Sequence, residues 1–427
     1  MTAQGLPARA AAQAVLSDVL RKRRPLDAAL SATAHLEPRD AGFARVIASE
    51  TLRRFGQLDD LIHGYVPKPP ARNRAGPTLE ILLAGACELL FLEVPAHAAV
   101  DGANRLAQAS DKAVHFKPLI NAVLRRVARE GKGAIAAQDA ARLNTPDWLW
   151  QRWLEAYGEE TTRAIASAHL GVPPLDIVTK DGAPAIAEAA PLFGRVWRCA
   201  DPLRVDALPG YQAGDWWVQD AAATLPASLL GDVRGKDVID LCAAPGGKTA
   251  QLAAAGARVI AVERDEIRME RLKENLQRLH LDAHLVDKDI RDFHPEHPAP
   301  FVLLDAPCSA TGTIRRHPEL PWIKGASDVM SCAQAAGELL DTAAGMTAAG
   351  GLLVFAVCSL EPEEGPEQVA DFLRRRNDFA REPVAVQDVC GLSEAVDDNG
   401  NLRTLPCHLA EKGGMDGFYA ARLRRNS

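Results

Sequence analysis

Residues Val238–Thr249 read VIDLCAAPGGKT: an apolar run, a turn of small residues with Gly246 and Gly247, then the start of a helix. A strand that ends in such a turn and feeds a helix is the opening unit of a parallel sheet. Working outward from it, apolar runs at Val259–Val262, Ala283–Val286, Phe301–Leu304 and Leu352–Val357 alternate with helical patterns at Thr249–Ala255, Glu266–His280, Val329–Met346 and Gln368–Arg376. The alternation predicts a doubly wound, Rossmann-like α/β domain over residues 210–427. In such sheets ligands bind at the carboxyl ends of the strands, near the switch in strand order.

The polar motifs fall at those ends. Cys242, Ala243, Ala244, Pro245, Gly246, Gly247 and Lys248 follow the first strand, and their small side chains let backbone approach a ligand closely. The GGKT tail is not a P-loop, because the glycine that motif needs is replaced by Cys242. Glu263 ends the second strand, about twenty residues beyond the glycine turn, where an acid can hold both hydroxyls of a ribose. Asp289 stands near the end of the third strand. A nucleoside pocket without a pyrophosphate cradle favours S-adenosylmethionine.

The fourth strand runs into Leu303–Pro318, LLDAPCSATGTIRRHP, which delivers Asp305 and Cys308; the fifth delivers Cys358 in FAVCSLEPEE. Cys87, Cys199, Cys332, Cys390 and Cys407 read as inert packing, but two thiols at neighbouring strand ends point to chemistry. Carbon 5 of cytosine is too electron-poor to attack a methyl sulfonium unaided. A thiolate added to carbon 6 makes it an enamine-like nucleophile, and a base must then remove the carbon-5 proton before the thiolate leaves. Arg315 and Arg316 read equally as a grip on the RNA backbone or as a surface pair.

The rest of the chain suggests two further domains. Residues 1–140 read as an all-helical domain, with segments such as Ala8–Leu20, Ala41–Phe55 and Pro77–Leu92 broken by prolines. It carries 19 Lys/Arg against 14 Asp/Glu, a net charge of +5, leaving −12 for the remainder. That asymmetry fits an RNA partner. The basic clusters lie at Arg21–Arg24, Arg53–Arg54, Arg72 and Arg74, and Lys117, Arg125, Arg126 and Arg129. Residues 141–209 read as a small α+β connector, with Trp148, Trp150 and Trp153 as core packing. No eighteen-residue apolar run and no zinc-spaced Cys/His set occurs, and Met1–Arg24 lacks a signal-peptide pattern, so a cytoplasmic, metal-free monomer is expected.

LCAAPGGKT, LLDAPCSATGTIRRHPE, VCSLEPEE and GGMDGFYAARL together resemble the Sun/Fmu-type bacterial ribosomal RNA cytosine-5 methyltransferases of the NOL1/NOP2/Sun group. VPAHAAVDGANRLA and LINAVLRRV look like the NusB-type helical domain that this subfamily carries. The resemblance spans nearly the whole chain. It implies a class I methyltransferase domain acting on 16S rRNA, unassembled or partly assembled, with an S-adenosylmethionine site at Cys242–Lys248, Glu263, Asp289 and Asp305. It also implies Cys358 as nucleophile, Cys308 as the thiol that assists release, Asp305 beside the target base with Lys248 supporting it, and Gln219 and Asp220 shaping the pocket. Three positions depart from the family pattern: Val357 stands for Thr, Gly365 for Asn and Glu263 for Asp. Transfer RNA or another ribosomal cytosine as substrate, a P-loop-like nucleotidase, and a non-catalytic antitermination-type RNA binder are the competing readings.

Overall fold

The computed structural model describes residues 5–199 and 204–427, apart from the side chains of 72 and 73. Residues 1–4 of the N-terminal stretch, residues 200–203 of the expected connector and the Arg72 side chain lie outside this description. The chain forms two compact units, one of residues 1–170 with 316–325, the other of residues 171–315 with 326–427. The expected connector is therefore shared: its tryptophan-bearing helix groups with the first unit and its strands with the second.

The first unit is helical. Thr78–Leu90 is buried on nearly every side, as expected of TLEILLAGACELL, a helix apolar almost all round. Leu6–Lys22, Pro38–Arg53, Phe55–Tyr65, Ala96–Gln108 and Lys117–Ala136 pack around it. Its two carboxylates are each answered, because a buried charge without a partner costs several kcal/mol. Glu88 takes a bidentate contact from Arg9 at 2.6–3.0 Å, and Glu80 takes Arg21 at 2.6 Å. Trp150 and Trp153 are buried in the helix Asp147–Ala168. Residues 316–325 complete this unit: the Trp322 indole donates to the Leu52 carbonyl and packs on Phe55, Arg23 donates to the Ile323 carbonyl, and the Leu26 amide donates to Glu319.

The second unit holds two sheets. The smaller is antiparallel, built from β1 (Leu175–Thr179), β2 (Ala189–Phe193), β3 (Val196–Cys199) and β4 (Trp216–Val218) in the order β2-β3-β1-β4. The larger comprises β5 (Asp237–Leu241), β6 (Arg258–Glu263), β7 (His284–Asp287), β8 (Ala299–Asp305), β9 (Thr347–Val357), β10 (Phe379–Arg381), β11 (Leu402–Thr404) and β12 (Phe418–Arg425). Its order is β10-β12-β9-β8-β5-β6-β7, with β11 also paired to β12. β5 to β9 are parallel, and their continuous apolar runs reflect burial on both faces, between two separate core clusters. β12 runs antiparallel beside β9, with Tyr419 opposite Val357. The strand order reverses between β5 and β8, so the ligand crevice lies at their carboxyl ends.

Candidate active site

One cavity of about 300 Å³ opens at that crevice, lined by Cys242, Glu263, Asp289, Asp305, Cys308 and Cys358 among others. Register explains the meeting of the thiols. Asp305 of β8 pairs with Ala356 of β9, so both chains leave the sheet side by side, and Cys308 Sγ lies 3.4 Å from Cys358 Sγ. The hydrogen bond to Cys358, with burial added, holds the Cys308 pKa well above the ordinary thiol value. The two sulfurs are therefore within hydrogen-bond reach of one another at the rim of the cavity.

Lys248 is buried in the first turn of the helix Gly247–Ala254, and its Nζ donates to Asp305 Oδ2 at 2.8 Å. Burial works against its charge, but Asp305 outweighs it, with Cys358 and Asp240 adding to the pull, and the pKa is raised. A buried ammonium paired with Asp305 therefore stands within electrostatic reach of Cys358. Ala243–Gly247 form the turn beside the cavity, with Gly246 at φ 100, a conformation that side chains rarely adopt.

At the other end of the cavity, Glu263 is buried and partly committed to its own chain. Its Oε1 accepts from the amides of Arg264 and Asp265 at 3.0 Å each, and Oε2 from Ala244 at 3.3 Å. Asp289 is bracketed by Arg291 and Arg264, whose hydrogen bonds hold its carboxyl well below the usual range. Arg264, Arg268 and Lys288 also line the cavity, none of them singled out by sequence. They sit next to the acidic strand ends, where basic residues look like ordinary surface.

One expectation changes. Arg315 is neither a surface residue nor available to RNA: it is 1% exposed, donating to Asp220 Oδ2 at 3.1 Å and the Gly413 carbonyl at 2.7 Å. A guanidinium with this many local acceptors serves as a buried strut. Gln219, Asp220 and Lys248 do not themselves line the cavity, but Gln219 stands against the glycine turn, where a Cβ on Gly247 would lie 3.2 Å from its side chain. Gln219 bridges the Trp217 indole to the Ala223 carbonyl, while Asp220 caps the helix Ala221–Ser228 and accepts the Asp416 amide.

Sequence reading also missed Glu364. Its fully buried carboxylate accepts from the Ser309 amide at 2.7 Å and Oγ at 2.6 Å, and from Ser359 Oγ. Burial raises its pKa, against the pull of those hydrogen bonds. Each serine follows a site cysteine, so one side chain fastens the two thiol-bearing loops together. The repeated Cys-Ser pair was the available signal. The departures Val357 and Gly365 both abut Tyr419: Val357 is its register partner, and a Cβ on Gly365 would lie 2.9 Å from its ring.

The loops are further stitched by Gly312, whose amide donates to the Cys358 carbonyl and whose carbonyl accepts the Gly417 amide. A Cβ there would stand 1.9 Å from the Gly417 carbonyl oxygen. Gly312→Ala is expected to lower stability by about 1–3 kcal/mol, the usual cost of overpacking. Chemical denaturation checks it, and an unchanged midpoint would contradict the close approach.

A crevice at the β5/β8 reversal, headed by a glycine turn and rimmed by paired thiols, defines the class: a Rossmann-like methyltransferase. Comparison with known proteins gives the family. A family model for the 16S rRNA methyltransferases RsmB/F matches residues 227–424, and one for the NusB family matches residues 6–129. Ribosomal RNA small subunit methyltransferase B of Pseudomonas putida is 36% identical, covering 97% of this chain and 98% of that one. The protein of the same name from Vibrio cholerae is 35% identical, covering 87% and 90%. Of solved structures, PH0851 matches with a TM-score of 0.75 at 20% identity over 100% of both chains. NSun6 from Pyrococcus horikoshii, solved with SFG, matches at 0.57 and 18% over 66% of this chain and 98% of that one. The chain belongs to the RsmB/F methyltransferase family, with a NusB-type helical region, and its cofactor is S-adenosylmethionine. The site suits that group: the cavity joins a buried acid at one end to the thiols at the other, beside a turn without bulky side chains.

Proposed function

We propose that this enzyme methylates carbon 5 of a cytosine in small-subunit rRNA, in the cytoplasm, through a covalent adduct between Cys358 and carbon 6. The observation that carries the reading is the 3.4 Å thiol pair beside a buried Lys248–Asp305 ion pair. A single thiol would serve an attack; a second one within hydrogen-bond reach of it suits the reversal.

When bound, S-adenosylmethionine supplies an electrophilic methyl group. The glycine turn, Glu263 and Asp289 hold that cofactor, and Asp305 faces the target base. Lys248, held by Asp305 and within electrostatic reach of Cys358, supplies a positive charge near the reacting sulfur. Cys358 adds to carbon 6, and Asp305, through a proton or hydrogen bond shared with Lys248, polarises the ring at N3 or the exocyclic amine. Carbon 5 then carries the new methyl group and its original hydrogen. A base takes that proton while the C–S bond breaks and Cys358 leaves as its thiolate, which restores the aromatic ring; Cys308, 3.4 Å from the departing sulfur, assists this release by hydrogen bonding to it. The base must leave its stack to enter, at a cost of a few kcal/mol unless the RNA is already open. The helical region, residues 1–140 in the sequence reading, together with the strands of the connector supplies the grip on RNA that offsets this cost.

Purified protein given S-adenosylmethionine and 16S rRNA fragments is expected to yield 5-methylcytidine on nucleoside mass spectrometry. Bisulfite mapping of RNA from cells lacking the protein should show one cytosine losing protection. Loss confined to transfer RNA would redirect the substrate assignment, and methyl transfer to another position would reject the chemistry.

A further inference from the structure

We propose that the groove between the helices Ala96–Gln108 and Lys117–Ala136 is an RNA-binding site, gripping phosphates with Arg125 and Arg129 and a base with His97 and the Asn104–Asn121 amide pair. The proposal rests on the reading of RNA as substrate and names where the helical unit holds it.

The groove is a cleft of about 490 Å³. Its one acid, Asp101, is answered by Arg105 at 2.9 Å, whereas Arg125 has no carboxylate partner among the described residues and Arg129 has a looser one, Glu130 at 3.7 Å, which Arg126 holds at 2.8 Å. Arg125 Nε donates to Asn121 Oδ1 at 3.3 Å, and Asn104 Nδ2 donates to the same oxygen at 3.1 Å. That arrangement sets the guanidinium by its Nε and leaves its terminal nitrogens for an anion, the geometry that suits phosphate. Imidazole and amide groups at the same cleft supply stacking and hydrogen bonding to an unpaired base.

In the clusters at 21–24 and 53–54 each basic residue has a protein partner, at the surface for residues 21–24 and in the interior for Arg53. Arg21 is committed to Glu80, Arg23 to the Ile323 carbonyl, Lys22 and Arg24 to Asp18, Arg53 to the His169 carbonyl, and Arg54 to Glu50. None of the large exposed hydrophobic residues lies in the groove, so the apolar anchors of a protein interface are missing while the positive charge is present.

The test uses the full chain. Arg125→Ala/Arg129→Ala should raise the KM for a 16S fragment by about tenfold or more near 0.1 M salt, reduce the slope of log affinity against log salt by about two, and leave kcat at saturating RNA unchanged. Both arginines are exposed on a helix, and alanine favours helix, so folding is preserved. The double lysine variant should recover most of the salt slope. Arg126→Ala is the control: Arg126 stacks on Tyr65, pairs with Glu130 and is absent from the groove, so KM should stay within about twofold. Unchanged affinity in the double variant overturns the proposal in favour of a protein partner, and an equal effect from Arg126→Ala overturns it in favour of bulk charge. Fluorescence anisotropy with labelled RNA gives the same comparison without catalysis, so a failure of the methylation reading is seen separately.

Discussion

Cys358→Ala is expected to abolish methyl transfer, by about 10⁴-fold or more, and to leave no RNA–protein adduct on a denaturing gel, whereas Cys308→Ala is expected to accumulate that adduct. Deleting the attacking sulfur removes the only route that makes carbon 5 nucleophilic, and the remaining binding groups cannot replace it. Deleting the other sulfur spares the attack, because Lys248 and Asp305 are untouched. It removes the hydrogen-bonding group 3.4 Å away that helps the ring shed its enzyme sulfur. Turnover then falls by about 10²–10⁴-fold, as for loss of a general acid or base, while the first half of the reaction proceeds. Radiolabelled cofactor and a gel shift distinguish the two variants in one experiment. If Cys308→Ala forms no adduct and Cys358→Ala does, the roles are reversed; methylation by Cys358→Ala would end the covalent mechanism.

The second large effect is expected at Glu364, which touches neither thiol. Glu364→Ala should lower kcat by about 10²-fold, the scale set by misplacing reacting groups by about 1 Å, with KM for the cofactor little changed. The carboxylate is what holds the amide of Ser309 and the hydroxyls of Ser309 and Ser359 to one point. Without it those donors face a cavity, and each loop relaxes independently. Glu364→Gln keeps an acceptor for the Ser309 amide and presents an NH₂ to hydroxyls that can turn to accept it, so most activity should return. A merely structural role predicts equal losses from Gln and Ala that follow thermal stability. A positioning role predicts a fall in the rate of adduct formation in the alanine variant at a temperature where circular dichroism shows it folded. Equal kcat in wild type and Glu364→Ala would dismiss the clamp.

Much of the α/β core was legible because parallel strands buried on both faces are written as unbroken apolar runs: Val259–Val262 and Phe301–Leu304 lie wholly within β6 and β8. β12 was harder to read. FYAARLRR pairs with a strand more than sixty residues earlier in the chain, and its register with β9 depends on contacts that no local pattern encodes. The same limit separates the site residues. Cys308 and Cys358 could be placed from strand ends alone, since a sheet fixes where its chains emerge. Glu361, Glu363 and Glu364 form an acidic run that looks solvated, yet Glu361 and Glu364 are fully buried. Arg315 and Arg316 are sequence neighbours with opposite environments, one buried among acceptors and the other exposed. Burial of that kind belongs to tertiary packing.

The decapeptide 316–325 bears on how the protein can be taken apart. The chain passes between its two compact units at 170/171, 315/316 and 325/326, so no single cut yields both of them whole. A fragment starting at residue 171 would carry Leu320, Trp322 and Ile323 without the helical side chains that cover them, and would leave the tail of the cysteine loop untethered. Such a fragment should aggregate, and limited proteolysis of the intact chain should release two associated pieces in place of two free domains. Residues 316–325 thus make the helical unit depend on a stretch of chain that leaves the thiol-bearing unit and returns to it.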